Sequence, residues 1–329
     1  MNHLLTDNFG RNHNYLRISL TDNCNLRCFY CMPNEDYDFS PASKLMQVDE
    51  IEAIAKLFVS FGVNKIRLTG GEPLVRKDAH KIIEKLSNLP VNLTITTNAT
   101  RIDTHLDTLL ASSIRSINVS LDTLQRDKFF FITKRDQFDK VLENINLLLN
   151  HNFHVKINMV VMKGINDQEI NDFIEWTRDF PIHVRFIEFM PFSGNNWKSD
   201  KVLTMNEILN IIQSKYNYNK IQDAKNDTAK NFEIQGHQGT FAMISTMSEA
   251  FCGTCNRIRL TADGKLKNCL FSKNETDILT PFRMGEDVVP LIKSCIISKE
   301  KALGGQFDNI LEKVDSQLIE NRSMITIGG

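Results

Sequence analysis

The sequence predicts an α/β fold: a partial (β/α)6 barrel of TIM type, followed by a smaller C-terminal α+β subdomain. Two observations carry this. Six short apolar runs begin about 33 residues apart, the length of one strand, helix and strand repeat, and amphipathic stretches lie between them. The rhythm stops after residue 191, which divides the chain into 1–191 and 192–329. A doubly wound open sheet would show the same rhythm and is the alternative architecture.

The strand runs are LRISL (16–20), NKIRLT (64–69), NLTITT (92–97), SINVSL (116–121), HVKINMVV (154–161) and HVRFIEF (183–189). Between them, helices are predicted over 49–61, 78–86, 103–111, 137–150 and 167–178. Four of the five open with Asp, an acceptor suited to capping the free amides of a first turn. The run Phe129, Phe130 and Phe131 is expected to pack internally rather than to serve as a base-stacking platform. Beyond 191, residues 217–231 are polar and read as a connector. A β-like stretch at 240–246, a turn at Asp263 and Gly264, and a mostly polar end follow.

Composition narrows the class. At 42% hydrophobic and 24% charged, the 329 residues are those of an ordinary globular protein. The formal charge of -1 supplies no field that would gather nucleic acid. No eighteen apolar residues run together, and Asp7, Arg11 and Arg17 interrupt the first twenty positions, so neither a membrane span nor a signal peptide is expected. The expected compartment is the cytoplasm. Seven cysteines, an odd number in a chain too large to need staples, argue for reduced thiols serving metal or catalysis.

Six of the seven fall into two triads. Cys24, Cys28 and Cys31 form CxxxCxxC directly after the first strand, where barrel enzymes place their sites. Three thiolates can wrap one iron–sulfur cube and leave one iron open. Zinc is the rival, but it wants a fourth ligand, and the nearest imidazoles are His13 and His80. Cys252, Cys255 and Cys269 repeat the arrangement as CxxCx13C, with His237 as the nearby imidazole. A zinc ribbon lacking one ligand competes here more closely. Cys295 lies in PLIKSCII and reads as a buried small hydrophobe.

Gly70, Gly71, Glu72 and Pro73 follow the second strand. Paired glycines permit positive φ and close backbone approach, with Glu72 as a candidate ammonium acceptor. Cations alternate with apolar residues on four strands: Arg17, Arg67, Lys156 and Arg185. They are expected to face the lumen, paired either with carboxylates such as Glu188 or with a highly anionic small ligand such as a nucleoside triphosphate. Arg257 and Arg259 would join that field. Thr96, Asn98, Ser120 and Asp122 supply hydrogen-bonding groups on the same rim. The Gly328 and Gly329 end is either frayed or threaded into a narrow cavity.

CxxxCxxC with Tyr30 between its last two cysteines, then GGEP after the next strand, resembles the radical S-adenosylmethionine superfamily. LRISLTDNCNLRCFYCMP, IRLTGGEP, INVSLD, RFIEFMP, FCGTCNRIRLTADGKLKNCLF and RSMITIGG are similar to the GTP 3′,8-cyclase family within it, over nearly the whole chain. The resemblance implies two 4Fe-4S clusters, one on each triad. It implies S-adenosyl-L-methionine at the first, beside Tyr30, Gly70, Gly71, Glu72, Ser120 and Met190. It places Arg17, Arg67, Thr96, Lys156, Arg185, Arg257, Ile258 and Arg259 at GTP, with Arg17, Arg257, Arg259, Gly328 and Gly329 assisting catalysis. The implied reaction is removal of the ribose 3′ hydrogen by a 5′-deoxyadenosyl radical and closure of C3′ onto C8. Its product is (8S)-3′,8-cyclo-7,8-dihydroguanosine 5′-triphosphate, in molybdenum cofactor biosynthesis. Implied partners are an external one-electron donor, a downstream cyclic pyranopterin monophosphate synthase and a second copy of the chain as a homodimer; no nucleic acid or membrane partner is expected. A peptide-modifying radical enzyme with an auxiliary cluster, a non-catalytic two-cluster electron carrier and a zinc-ribbon nucleic-acid binder are the alternatives. Asn23 and Ala99 depart from the family's usual Arg and Gly, and neither supplies a ligand side chain.

Overall fold

The computed structural model describes residues 4–32, 37, 39–307 and 314–328; Gly329 lies outside them. Strands β1 (Tyr15–Ser19), β2 (Lys65–Thr69), β3 (Asn92–Thr97), β4 (Ser116–Ser120), β5 (His154–Val161) and β6 (His183–Glu188) pair in chain order, all parallel. A doubly wound sheet reverses its strand order at a switch point. This order never reverses, and residues of all six strands line one cavity. The sheet therefore curls around that cavity as a partial barrel.

Helices α1 (Val48–Ser60), α2 (Ala79–Ser87), α3 (Leu106–Ala111), α4 (Arg126–Thr133), α5 (Phe138–Asn150) and α6 (Ile170–Asp179) lie between the strands. In α1 the buried positions are Ile51, Ile54, Ala55 and Phe58, a helical stripe against the sheet. Phe58 is fully buried, and truncating it to Ala would cost about 3–5 kcal/mol. The expected Asp caps do not form. Gln47 and Glu50 make a reciprocal capping box on α1. Asp78 precedes α2 but pairs with Arg76, while Asp103 and Asp167 open single 3-10 turns. An Asp beside an arginine is drawn to the guanidinium, a stronger donor than a neutral amide. Helix α4 falls within a stretch read as connection. Of the three phenylalanines expected to pack there, Phe129 is buried while Phe130 and Phe131 are more than half exposed.

Beyond β6 the chain forms α7 (Met205–Gln213), β7 (Tyr218–Lys220), β8 (Lys230–Ile234), β9 (Thr240–Ile244), β10 (Arg257–Leu260), β11 (Lys265–Lys267) and β12 (Thr276–Asp277), then α8 (Leu279–Arg283), α9 (Val289–Ile297) and α10 (Met324–Ile327). These strands build no sheet of their own. β9 pairs parallel with β6, and β10 pairs parallel with β1 at the opposite edge, so one sheet of twelve strands results among the described residues. The polar 217–231 stretch is not a plain connector: β7 and β8 form an antiparallel hairpin whose loop reaches the cavity. Among the described residues no helix is long and apolar enough to cross a membrane.

Candidate active site

Strand register arranges the lumen in rows. Parallel pairing sets Arg17 opposite both Arg67 and Arg259, and sets Tyr15 opposite both Lys65 and Arg257. Neighbouring strands lie about 4.8 Å apart, so each row concentrates positive charge that must be answered. Leu16, Ile18, Ile66 and Leu68, at the alternate positions, are fully buried in the apolar core. Arg17, Arg67, Lys156, Arg185, Arg257 and Arg259 all line a cavity of about 740 Å³, together with Thr96, Ser120, Met190, Gly70, Gly71 and Glu72. All six triad cysteines line it too. The volume lies within the ordinary range for a small-molecule site. Ile258 is the exception: alternation turns its side chain into the core, 1% exposed, away from the cavity.

The glycine pair works by close approach alone. Neither Gly70 nor Gly71 has positive φ. A Cβ on Gly70 would lie 2.6 Å from the Thr21 carbonyl oxygen, and one on Gly71 would lie 2.5 Å from that of Asn23. Gly71 N donates to Thr21 O at 2.7 Å and Glu72 N to Asn23 O at 2.8 Å, which pins the segment leading into Cys24. Glu72, expected to meet an ammonium, is already engaged. Its carboxylate accepts from Leu74 N (3.0 Å), Thr97 Oγ1 (2.7 Å) and Asn98 N (2.6 Å), bracing the β2 loop against the end of β3. Burial pushes its carboxyl up to about 7.

The first cysteine loop is held from both sides. Cys31 N and Met32 N turn back onto Cys28 O, while Arg27 N and Phe29 N donate to Thr133 O and Ile132 O at the end of α4. Cys24 Sγ accepts from Leu26 N and lies 3.8 Å from Asn98 Nδ2. Tyr30 Oη donates to Asp122 at 2.6 Å, and the other Asp122 oxygen accepts from Val160 N. Burial, then the Glu72 charge, raises Cys24 to about 11; burial, then Cys24 and Asp122, raises Cys31 to about 12. Burial raises Cys28 well above its ordinary value, and Asp122, Cys31 and Cys24 add to the effect. Three buried thiols that resist ionisation are suited to a cationic metal centre, whose binding releases their protons.

In the second triad burial raises Cys252 as well, but Cys255 has the opposite setting. Burial alone would raise Cys255, but Arg257 and Lys299 outweigh it and bring the thiol down to about 6. His237 is not beside this triad; its Nδ1 bonds Thr177 Oγ1 and its ring meets Tyr216. The imidazole that does approach is His13, through Lys299. Among the described residues no trio of Cys, His, Asp and Glu side chains closes tightly enough to enclose a single metal ion. Three mutually repelling thiols per triad, all facing one cavity, match the donor set of an iron–sulfur cube with one iron left open.

The cations are not answered by Glu188. That carboxylate accepts from Met205 N, Met247 N, Ser248 N and Ser248 Oγ, which ties β6 to the later segments. Instead the cations shape one another. Burial, then Arg185 and Arg67, lowers Lys156 to about 8; burial, then Arg67, lowers Arg185 to about 9. Asn118, with its amide oxygen turned to its donors, accepts from Arg67 Nη1 (2.6 Å) and Arg185 Nη1 (3.0 Å). Tyr15 stands buried among Lys65, Arg17 and Arg67. Burial would raise its phenol, but Arg67, Arg17 and Lys65 together bring it down to about 7.

The tail enters the same barrel. Gly328 is buried at φ +85°, with Ser19 and Thr69 of adjacent strands against it. Tyr15, Lys65, Asn118 and Asn158 went unread in the sequence. Each lies two residues from an expected site residue on its strand, so the alternation that marked Arg17, Arg67, Ser120 and Lys156 also reaches them.

The model described as Radical SAM superfamily matches residues 18–177, and that described as Molybdenum Cofactor Synthesis C matches residues 182–304. The chain is 46% identical to the Arabidopsis thaliana protein named GTP 3′,8-cyclase, mitochondrial, covering 99% of this chain and 84% of the relative. It is 40% identical to the GTP 3′,8-cyclase of Listeria monocytogenes, covering 99% of both. It is 44% identical to Molybdenum cofactor biosynthesis protein 1 of Dictyostelium discoideum over 99% of its own length, and spans 52% of that longer relative. In fold it is similar to SuiB of Streptococcus suis, solved with S-adenosylmethionine, at TM-score 0.62 and 16% identity, covering 88% of this chain and 68% of the other. From its matched segments and its full-length relatives, the chain belongs to the GTP 3′,8-cyclase family of the radical S-adenosylmethionine superfamily.

Proposed function

We propose that the protein converts GTP to (8S)-3′,8-cyclo-7,8-dihydroguanosine 5′-triphosphate, as a step of molybdenum cofactor biosynthesis. The observation that carries this is the set of inward-facing cations, Arg17, Lys65, Arg67, Lys156, Arg185, Arg257 and Arg259, on the same cavity as both cysteine triads. A chain of net charge -1 that concentrates seven cations in one lumen is built for a polyanion.

Cys24, Cys28 and Cys31 would hold one 4Fe-4S cluster, and Cys252, Cys255 and Cys269 the other. With S-adenosyl-L-methionine bound at the first, the cofactors supply one-electron reductive cleavage and a carbon radical able to take a hydrogen atom. The protein supplies placement. Arg17, Arg67 and Arg259 offer forked donors to phosphate oxygens, and Lys65 and Lys156 add point charges. Thr96, Ser120 and Asn118 offer neutral hydrogen bonds on the facing strands. Tyr30, fixed by Asp122, and Met190 wall the cofactor end, and the buried Gly328 closes the barrel beside Ser19 and Thr69 against water. Gly329 would extend this tail. An external one-electron donor, a cyclic pyranopterin monophosphate synthase that takes the product, a homodimeric assembly and a cytoplasmic setting complete the reading.

The test is anaerobic reconstitution followed by incubation with S-adenosyl-L-methionine, reductant and GTP labelled with deuterium at C3′. Deuterium should appear in 5′-deoxyadenosine. Its retention in GTP, or formation of 5′-deoxyadenosine independent of GTP, would overturn the assignment.

A further inference from the structure

The segment before β1 carries no cysteine, yet it is wired into the second triad. Asp7 holds Arg11 Nε at 2.6 Å, and Arg11 Nη1 donates to the Cys252 carbonyl at 2.9 Å. His13 is fully buried, with Nδ1 2.9 Å from Leu5 O and Nε2 2.9 Å from Lys299 Nζ. These contacts fix the protons. A carbonyl only accepts, so Nδ1 carries the hydrogen, and in a neutral ring Nε2 is then an acceptor. Burial, reinforced by the Lys299 charge, holds His13 down to about 4, which keeps the ring neutral.

Lys299, 4% exposed, therefore faces three acceptors: His13 Nε2, Arg257 O at 3.1 Å and Cys255 Sγ at 3.3 Å. Only an ammonium has three N–H groups to give. Its attractive charge partners are the thiols of Cys255 and Cys269. A surface lysine would be free to turn; this one is locked onto a sulfur by a backbone carbonyl and an imidazole.

We infer that Lys299 is a positioning residue for the second metal centre, donating a charged hydrogen bond to the Cys255 sulfur and so setting how readily that centre accepts an electron. The inference rests on the proposal that this triad holds an iron–sulfur cluster. A donor and a positive charge at a ligand sulfur favour the reduced, more negative state. Removing them lowers the midpoint potential.

The test uses the full chain with Cys24→Ala, Cys28→Ala and Cys31→Ala, so that only the second cluster is titrated. Iron and sulfide content comes first: no cluster there overturns the functional reading and this inference with it. With the cluster present, Lys299→Met should lower the ratio of reduced to oxidised cluster at a fixed potential about tenfold, which is 59 mV for a one-electron couple. Lys299→Arg, which keeps charge and donors, should recover most of the shift. Equal midpoints with and without the Lys299→Met substitution overturn the inference alone. Should the Lys299→Met variant assemble no cluster, electron–nuclear double resonance on the protein that retains Lys299, labelled with 15N at lysine only, decides. A lysine 15N coupled to the reduced cluster supports the inference, and its absence overturns it.

Discussion

Arg259 donates from Nη1 to the carbonyl oxygen of Gly328 at 2.5 Å, joining a strand of the barrel wall to the buried tail of the chain. The contact places one member of the cationic row beside the backbone of residue 328 and explains why that residue is glycine. A Cβ there would lie 2.6 Å from Thr69 Oγ1 and 3.0 Å from Ser19 Cβ, in a left-handed conformation that costs an L residue about 1–2 kcal/mol.

Gly328→Ala should therefore expel the tail while leaving the sheet intact. The expected result is a fall of about tenfold or more in kcat/KM, equivalent to about 1.4 kcal/mol of transition-state stabilisation. Iron content and thermal midpoint should stay close to those of the parent. Turnover equal to the parent would show that the tail has no part in the reaction.

Substrate binding should take up protons. A polyanion seated on Arg17, Arg67 and Lys65 removes the charge that holds Tyr15 down at about 7, so its phenol reprotonates near neutral pH. Lys156, at about 8 without ligand, is likewise returned to its charged form. Both effects have the same sign: GTP affinity falls as pH rises through the 7–8 window. Calorimetry in buffers of different ionisation enthalpy measures the proton count, and Tyr15→Phe should reduce it.

On the hairpin loop between β7 and β8, Asp227 lines the cavity and acts on Lys65, Lys156 and Arg185. It lends those cations a negative charge that a bound polyanion would oppose. Asp227→Asn should tighten equilibrium binding of GTP several-fold, more at low salt than at high salt. A weaker or unchanged affinity would mean that the loop serves some other contact.

Glu72→Gln tests the brace between the β2 loop and β3. The amide's NH2 must face a donor, Asn98 N on one side or Thr97 and Leu74 on the other, and leaves it unpaired. The expected cost is about 1–3 kcal/mol, read as a thermal midpoint lower by several degrees. Because burial raises the Glu72 carboxyl, the folded state holds a proton that the unfolded chain releases. Its contribution is present below about 4.5 and lost as pH rises toward 7, a slope the Gln variant should lack.

Local pattern carried much of this molecule. HVKINMVV is β5 to the residue, and the alternation in LRISL and NKIRLT placed Arg17 and Arg67 in the lumen because a pleat leaves no other option. What pattern could not carry was partnership across long separations. Nothing around Thr240 or Arg257 says that their strands complete the two edges of an earlier sheet, and nothing around Lys299 names His13. Helix α4 was hidden because Phe130 and Phe131 face outward and blur its stripe. Chemistry misled in one respect: Asp78 suited a cap, but the guanidinium two residues away was the better partner.

The strand β10 that seals the barrel beside β1 is made long after it. While the ribosome has delivered only β1 to β6, both outer strands expose unpaired parallel edges and the first cysteine loop opens into a half-walled trough. Such an intermediate invites pairing with other nascent chains and leaves any early-loaded cluster open to oxygen. The strand that finishes the wall of the first site is thus made between the cysteines of the second, after Cys252 and Cys255 and before Cys269.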